Sequence, residues 1–344
     1  MIGSFSRPPV AFSPAPFASI PPPMSASTLQ APQSWVSPST HVYLGHSKEI
    51  ETIAWSATGR YLASSNSEGT KLWDTESPHG SRPSFISLAA TEIHFHPTSQ
   101  SLLGGCGYSR RIALVDTRHD GHKKEAEFAF PEESTAVSFA FSPDGNLVAG
   151  CAKGRRRMLS VWERRNPSTP LATIAVPQDQ EPRKIVFAPQ SSSVIVVALK
   201  NGQLVVQDYT ADKVRTPPFL LSIQGGSLDA LCFDPQGRRL ATGGAEGTVS
   251  IVDAASMACQ CAVTRLDATV RGLSFSQDGA FLATCGEAKG IDISDASTGE
   301  QMAALANESR ATACAWHPRR LSLAYTSYSI GIGQISVTDF QLGQ

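Results

Sequence analysis

The feature that most constrains the fold is a pattern of three short strands that recurs along the chain. Residues 231–253 read LCF, a DPQG turn, RRLATGG, an AEG turn and TVSIVD, which ends on an acid. Short apolar or β-branched runs bounded by Pro, Gly and Asp turns predict antiparallel strands. An aromatic residue ends the first strand of every copy: Trp55, Phe95, Phe141, Phe187, Phe233, Phe275 and Trp316. The chain therefore contains seven copies of one unit.

The spacing of the copies identifies their architecture. The steps between the aromatic anchors are 40, 46, 46, 46, 42 and 41 residues. A period of about 40–45 residues is typical of the four-stranded blades of WD40 propellers. A lone blade buries neither face well, so blades must stack on their neighbours, and a ring closes the stack. We predict an all-β fold, a seven-bladed WD40 β-propeller over residues 41–340.

The two ends of the repeated region predict how the ring closes. The seventh copy has sequence for its inner strands but none for an outer strand, whereas a spare strand, residues 41–44, precedes the first copy. We expect the spare strand to become the outer strand of the last blade, which removes an open sheet edge.

Residues 1–40 have a different composition from the repeats. They are rich in proline and serine and contain no Asp or Glu. A segment of this kind cannot bury enough apolar surface to fold, so a disordered N-terminal tail is predicted. Translation from Met24 would also give an intact propeller. No apolar run is long enough to cross a membrane, and no membrane partner is expected.

Composition and motifs argue against several function classes. The net charge of −1 and the pI near 6.7 do not suit a propeller that binds nucleic acid through its overall charge. The seven cysteines are expected to be free thiols in a reducing compartment. His96 and His317 fall in repeated turns and are expected to be structural. Because no phosphate loop, nucleophile motif or metal-ligand spacing is found, we expect no enzyme activity, no metal and no cofactor.

One blade contains a set of residues that predicts a buried hydrogen-bonded chain. In WD40 blades a loop His, a strand Ser or Thr, a turn acid and the strand-end Trp hydrogen-bond to each other. The first copy offers His46, Ser64, Glu68 and Trp73. Such groups hold a blade together, because buried polar groups must be paired. Structural roles are also predicted at three other strand ends, Trp162, Asp253 and Asp295.

A cluster of basic residues is the candidate binding surface. The turns between second and third strands lie on the same face of a propeller as the loops that enter the blades, and the turn of the third copy is long and basic. A basic sector could dock an acidic protein segment or RNA phosphates. The residues assigned to it are Arg110, Arg111, Lys153, Arg155, Arg156, Arg157, Arg183 and Lys184. A solvated charged turn is the equally weighted alternative.

The last three copies resemble a particular WD40 family. Residues 264–279 (TRLDATVRGLSFSQDG) and 290–295 (GIDISD), where I-D-I stands in place of a W-D pair, are similar to the WD40-repeat subunits of the THO complex. Residues 233–253 and 315–325 resemble the fifth and seventh blades of that family. This chain has Ala268-Thr269 where the family pattern has Trp-Pro, so a contact through that tryptophan is not carried over.

The resemblance implies a nuclear, non-catalytic scaffold. THO associates with a DEAD-box RNA helicase and an export adaptor to form TREX, which couples transcription to the packaging and export of messenger RNA. The partners implied are the large helical THO subunits directly, and the helicase, the adaptor and RNA through the complex. The matching loop carries over Arg265, Asp267 and Arg271 as candidate contact positions.

Two other kinds of binding protein remain open. A substrate receptor of a ubiquitin ligase or a chromatin-associated adaptor would use the same face of the same fold, because a fold does not decide a function. A propeller that binds RNA directly would show salt-dependent binding in isolation.

Overall fold

Each copy of the repeat forms one four-stranded antiparallel sheet. The computed structural model describes residues 35–77, 82–118, 124–176, 180–209 and 219–342. Within these ranges there are seven such sheets and no helix, and their order along the chain is that of the seven copies. The predicted all-β, seven-bladed WD40 propeller is confirmed.

The strands of the first four blades are as follows. Blade 1 contains β2 (Thr52–Trp55), β3 (Tyr61–Asn66), β4 (Gly69–Asp74) and β5 (Ser84–Ile86). Blade 2 contains β6 (Glu92–Phe95), β7 (Leu102–Cys106), β8 (Arg111–Asp116) and β9 (Lys124–Ala129). Blade 3 contains β10 (Ser134–Phe141), β11 (Leu147–Gly154), β12 (Met158–Glu163) and β13 (Ala172–Ala175). Blade 4 contains β14 (Pro182–Phe187), β15 (Val194–Leu199), β16 (Gln203–Asp208) and β17 (Phe219–Ser222).

The remaining blades follow the same order, except that blade 7 borrows a strand. Blade 5 contains β18 (Leu228–Phe233), β19 (Arg239–Gly244), β20 (Val249–Asp253) and β21 (Cys259–Val263). Blade 6 contains β22 (Val270–Phe275), β23 (Phe281–Gly286), β24 (Lys289–Asp295) and β25 (Gln301–Arg310). Blade 7 contains β26 (Cys314–Trp316), β27 (Ser322–Ser329), β28 (Ile332–Leu342) and β1 (Trp35–His46).

Strand β1 closes the ring in the way the sequence predicts. It pairs antiparallel with β28, and the register runs from Trp35 opposite Leu342 to His46 opposite Gly333. The strand begins at Trp35, inside the segment that the sequence assigns to the leader, so part of that segment belongs to the propeller. The rest of the expected leader, including Met24, lies outside the described residues.

The core lies between the blades. Its seven clusters of buried apolar side chains each join two neighbouring blades of the described chain, and the seventh joins blade 7 to blade 1. At this last junction Trp55 Nε1 donates a hydrogen bond to the carbonyl of Ala315 at 3.0 Å, and Thr312 donates to the carbonyl of Ile50. Because apolar burial between blades is the main stabilising term, no blade is stable without its neighbours.

Candidate functional site

Blade 1 contains the hydrogen-bonded chain that its sequence predicts, with one member missing. Ser64 Oγ lies 2.8 Å from both His46 Nε2 and Trp73 Nε1, and all three residues are buried. Burial and the positive charge of Lys71 lower the pKa of His46 to about 4. The imidazole is therefore neutral at neutral pH, and through Ser64 it joins the end of β1 to strands β3 and β4.

Glu68 does not belong to this chain, contrary to the sequence-based expectation. Its exposed carboxylate accepts hydrogen bonds from Ser47 Oγ at 2.7 and 2.6 Å. The side chain of Glu68 is one methylene longer than that of the usual aspartate, and its carboxylate lies in solvent. The hydrogen bonds from Ser47 lower the pKa of Glu68.

The three other predicted strand-end residues lie where a structural role requires them. Trp162 is buried, and its ring packs edge-on against Phe130 with centroids 5.2 Å apart. Asp253 accepts hydrogen bonds from Ser256 N and Oγ, both at 2.7 Å, and so closes the turn after β20. Asp295 closes the turn after β24 in the same way, because it accepts from Ser297 N at 2.7 Å. Side chains that bond to nearby backbone in this way stabilise turns.

The two turn histidines each join two blades. His96 Nε2 donates to the carbonyl of Gly145, in the next blade, at 2.9 Å. His317 of blade 7 packs edge-on against Trp55 of blade 1, with ring centroids 4.8 Å apart, and lies against the turn at Gly59. Burial lowers the pKa of both histidines, and that of His317 falls to about 4. These neutral rings are structural contacts between turns.

The basic sector of blades 2 and 3 is interleaved with acids. Arg110 lies 3.7 Å from Glu132, and Arg155 lies 3.4 Å from Glu133, so both arginines face the link between the two blades. Arg111 pairs with Glu127 on the outer strand. The positive charge of this sector is therefore lower than the sequence suggests.

The long turn after β11 carries the most exposed charges of this sector. Lys153 and Arg156 are exposed, and neither forms an ion pair with a residue in the described ranges. Arg157 is partly buried and donates to the carbonyl of Gln180 at 3.3 Å, which fixes the end of the turn. Two free charges thus project from a turn that is itself anchored.

Lys184 is not part of this sector, contrary to the sequence-based assignment, and Arg183 is paired with two neighbouring acids. Arg183 lies 3.6 Å from both Glu181 and Asp229. Lys184 is on β14, the inner strand of blade 4, and its Nζ lies 2.9 Å from Glu92 Oε2. Residues of an inner strand alternate between the channel and the neighbouring blade, and this register turns Lys184 away from the rim.

A buried polar cluster centred on Glu92 lines the central channel, and it was not found from the sequence. The Glu92 side chain is 6% exposed and Lys184 is 30% exposed. Glu92 Oε1 lies 2.8 Å from His94 Nε2 and accepts from Ser138 Oγ at 3.0 Å. Ser138 also accepts from the backbone N–H of Ile185, so the cluster joins the inner strands of blades 2, 3 and 4.

The electrostatics of the cluster keep Glu92 ionised. Burial raises its pKa, but the ammonium of Lys184 and the hydrogen bond from His94 outweigh burial, and the net pKa is lowered. Burial opposes the charge of Lys184, and Glu92 overcomes this and raises the pKa of Lys184. The cluster is a closed ion pair on the wall of a channel of about 600 Å³.

The loop before blade 6 places the three positions that the family resemblance indicates in different environments. Arg265 forms a double hydrogen bond to the carboxylate of Asp292 at 2.9 and 2.6 Å, and it also donates to Gly299 O at 2.7 Å. Asp267 is exposed. Arg271 lies on β22 and donates to Glu287 at 3.0 Å. Arg265 is therefore held by blade 6 itself, whereas Asp267 is accessible to a partner.

Beside Arg265 lies a cavity of about 930 Å³ that opens on the surface of blade 6. Its walls come from the loop before blade 6, from β23 and β24, and from the outer strand β25. Ala268 and Thr269, which stand in place of the Trp-Pro of the family pattern, line it.

The described residues do not form a reactive constellation. In the ranges that the structure covers, no three His, Cys, Asp or Glu side chains are grouped as metal ligands. The same ranges contain no helix that is long and apolar enough to cross a membrane. What the surface offers is charged turns on one face, a closed ion pair in the channel and one cavity on blade 6.

Comparisons with known proteins agree with this geometry. The family model of the WD domain, G-beta repeat, matches residues 37–74, 219–253 and 260–291. THO complex subunit 3 of Arabidopsis thaliana is 26% identical over 291 residues, which covers 82% of this chain and 88% of that protein. WD repeat-containing protein AAC3 of Dictyostelium discoideum is 22% identical over 70% of this chain and 54% of that protein. Mitotic checkpoint protein bub-3 of Caenorhabditis elegans is 22% identical over 69% of this chain and 71% of that protein.

These relatives differ in the processes their names describe, but the three segments that the family model matches all fall on strands of the propeller. The alignment with THO complex subunit 3 spans most of both chains. The chain is therefore a WD40-repeat protein, a seven-bladed β-propeller that resembles THO complex subunit 3.

Proposed function

We propose that this protein is a non-catalytic scaffold subunit of a nuclear THO-like assembly that couples transcription to the packaging and export of messenger RNA. The observation that carries the proposal is the similarity to THO complex subunit 3 over 82% of this chain and 88% of that protein. An alignment of this extent follows the whole ring and not a single repeat. The direct partners would be the other subunits of the assembly, with an RNA helicase and an export adaptor joined through them.

The surface of the propeller supports a protein-binding role. Exposed Lys153 and Arg156 on the long turn of blade 3, and exposed Asp267 before blade 6, offer both signs of charge to a partner. Charged groups on a rim mainly set the rate and specificity of association. In the channel, the two charged groups Glu92 and Lys184 are paired with each other.

The test is affinity purification of the tagged full-length protein from nuclear extract, with and without RNase, followed by mass spectrometry. Recovery of large helical THO subunits and a DEAD-box helicase in the presence of RNase is the expected result. Recovery of cullin adaptors or histone-modifying enzymes in their place would refute the THO assignment and leave the propeller intact.

A paired variant sharpens the same experiment. Lys153→Glu with Arg156→Glu reverses two exposed charges that have no ion-pair partner in the described chain, so folding should be unchanged. If this turn contacts a partner, the subunit that binds it should be lost from the purification. Arg165→Glu, on the turn after β12 at the opposite end of the blade, is the matched control and should retain every subunit.

Direct RNA binding is the second candidate, and exposed Lys153 and Arg156 are the observation that favours it. The paired variant should then weaken binding of single-stranded RNA by the isolated protein and lower the salt dependence of that binding. RNA binding that is unaffected by the variant would remove this candidate site.

A further inference from the structure

The turn between the second and third strands of blade 7 differs from the matching turns of the other six blades. It joins β27 to β28, and its two residues are Ile330 and Gly331. Each of the other six turns contains a charged residue, whereas residues 321–338 contain none. The charged residues of the other turns include Glu68, Arg110, Arg155, Lys200, Glu246 and Glu287. Blade 7 therefore presents an isoleucine where its neighbours present charge.

This turn projects from the rest of the blade. The pairing of β27 with β26 stops at Tyr325, and the pairing of β28 with β1 stops at Gly333. Only β27 and β28 pair with each other as far as the turn. A side chain at Gly331 would meet no atom of the described chain within 4 Å. Ile330 is 97% exposed, which makes it the most exposed large apolar side chain in the described ranges.

The projecting hairpin is apolar at its end and anchored at its base. Three exposed apolar side chains form what we call the apolar tip: Tyr328, Ile330 and Ile332. The backbone N–H of Tyr328 donates to Ser309 Oγ on β25 at 2.9 Å. Asn307 Nδ2, also on β25, donates to the carbonyl of Thr326 at 3.2 Å. The tip is therefore held in one position, which lowers the entropic cost of binding a partner.

The backbone at Ile330 is strained. Its φ is +49° and that of Gly331 is +77°, and positive φ at both central residues is typical of a type I′ turn, in which Asn-Gly is preferred. A β-branched residue is rare in this left-handed region, because its Cβ approaches the following carbonyl oxygen. Ile330 is the only β-branched residue among the three non-glycine residues with positive φ in the described ranges. A residue that strains its turn and buries no apolar surface indicates a role outside folding.

The chemistry of the tip indicates a protein as its partner. Because residues 321–338 are uncharged, they offer no cation to RNA phosphates or to anionic lipid headgroups. A branched aliphatic side chain on a convex projection is complementary to a concave apolar pocket, and such anchors dominate the energy of protein interfaces. The tip also lies on the same face of the propeller as exposed Lys153 and Arg156, since both turns join the second and third strands of their blades.

We propose that the apolar tip of blade 7 is a docking anchor that inserts Ile330 into an apolar pocket of another subunit of the assembly. This inference rests on the proposed scaffold function for the existence of that subunit, and it adds the residue and the chemistry of the contact. Burial of the side chain in the pocket would offset the strain that the free protein carries at this turn.

Photocrosslinking identifies the partner. The photoreactive residue benzoylphenylalanine replaces Ile330 in the tagged full-length protein, and the products formed in irradiated nuclear extract are analysed by mass spectrometry. Crosslinks should join position 330 to apolar side chains of one subunit that co-purifies with the protein. The same replacement at Leu171, which is 55% exposed and precedes β13 at the opposite end of blade 3, is the control and should not give this product.

Substitutions at the tip separate binding from folding. Ile330→Asn gives the turn its preferred sequence, so the melting temperature of the full-length protein should rise by about 2–4 °C. The same variant should weaken binding of the crosslinked subunit by at least about 10-fold, because the burial of an isoleucine side chain is lost. Ile330→Leu keeps an apolar tip and should retain most of the binding. Leu171→Asn is the matched control and should leave binding unchanged.

Several results would overturn the inference. Crosslinks from position 330 to a second copy of this chain, to RNA or to no protein would do so. A melting temperature that falls in Ile330→Asn, or binding that this variant leaves unchanged, would also do so. The scaffold function would still stand in these cases if the THO subunits co-purify. Crosslinks to an apolar pocket of a protein unrelated to THO would instead refute the scaffold function and keep the docking anchor.

Discussion

Removal of the cation from the channel cluster should destabilise the protein strongly and in a pH-dependent manner. Lys184→Met keeps most of the aliphatic stem but leaves the carboxylate of Glu92, which is 6% exposed, without its ammonium 2.9 Å away. Loss of one partner of a buried pair costs about 3–5 kcal/mol. We expect about 3 kcal/mol, the lower end of that range, since Lys184 is 30% exposed and Ser138 and His94 still bond to Glu92. For a propeller of this size that loss lowers the melting temperature by about 5 °C.

The pH dependence follows from the sign of the change in pKa. In the unmodified protein the pKa of Glu92 is lowered by folding, so its contribution is present above the unfolded pKa and is lost as the pH falls through the folded pKa. In Lys184→Met, burial without the ammonium raises the pKa of Glu92 above its unfolded value. Protonation then relieves the penalty, and the difference between the two proteins should shrink between about pH 7.5 and about pH 5.

The assay is urea unfolding of both proteins at the two pH values, followed by tryptophan fluorescence. The double variant Glu92→Gln with Lys184→Met should recover at least half of the loss, since no buried charge remains. Arg111→Met is the control, because its pair with Glu127 is exposed and should contribute less than about 1 kcal/mol. A penalty that grows as the pH falls, or a double variant as unstable as the single one, would refute the reasoning.

Three further predictions test other contacts. His46 and His317 have folded pKa values of about 4, below the usual value for histidine, so the free energy of unfolding should fall as the pH drops from about 6.5 to about 4. Urea unfolding across this range measures the fall, and His317→Asn should make the free energy of unfolding less dependent on pH. An unchanged pH dependence in that variant would contradict the prediction. Gly59→Ala should lower the free energy of unfolding by at least about 3 kcal/mol, because φ is +82° and the new Cβ would lie 2.0 Å from His317 Nε2. Gly331→Ala, with φ of +77° and no atom within 4 Å, should lower it by only about 1 kcal/mol. Thermal unfolding measures both losses, and equal losses would contradict the contact between blades 7 and 1. Arg265→Met should lower the free energy of unfolding by about 3 kcal/mol, because buried Asp292 loses its partner. Arg271→Met breaks a more exposed pair and should lower it by less than about 1 kcal/mol. If the first variant loses no more stability than the second, Arg265 has no structural role.

The fold can be predicted from the sequence because the same pattern of strands and turns recurs in all seven copies. Seven aromatic anchors, the turns that follow them and a spare strand specify the blades and the pairing of β1 with β28. These features are local, or depend on counting copies, so one chain is enough to find them. The hydrogen-bonded chain of His46, Ser64 and Trp73 could be predicted for the same reason.

The candidate sites depend on contacts that the repeat does not encode. Glu92 and Lys184 are 92 residues apart, and their pairing follows from the curvature of the ring, which brings inner strands of alternate blades to one channel. The positive charge of the basic sector is overestimated from the sequence, because Glu132 and Glu133 lie in a different segment from Arg110 and Arg155 and neutralise them only in the folded protein. The cavity on blade 6 is formed where the loop before the blade meets β23, β24 and β25, and the sequence alone does not show that these segments enclose a space.

The pairing of the first strand with the last also sets the order of events during synthesis. Strand β1 leaves the ribosome first, but its partner β28 ends at Leu342, about 300 residues later. At about 5–20 residues per second, β1 waits for roughly 15–60 seconds with its hydrogen-bonding edge unpaired. Blades 1 to 6 can stack in that interval, yet the ring remains an open arc with an apolar face at each end. An unpaired strand and two unstacked faces are binding sites for chaperones and sources of aggregation, so the nascent chain should be most vulnerable in the seconds before blade 7 is complete.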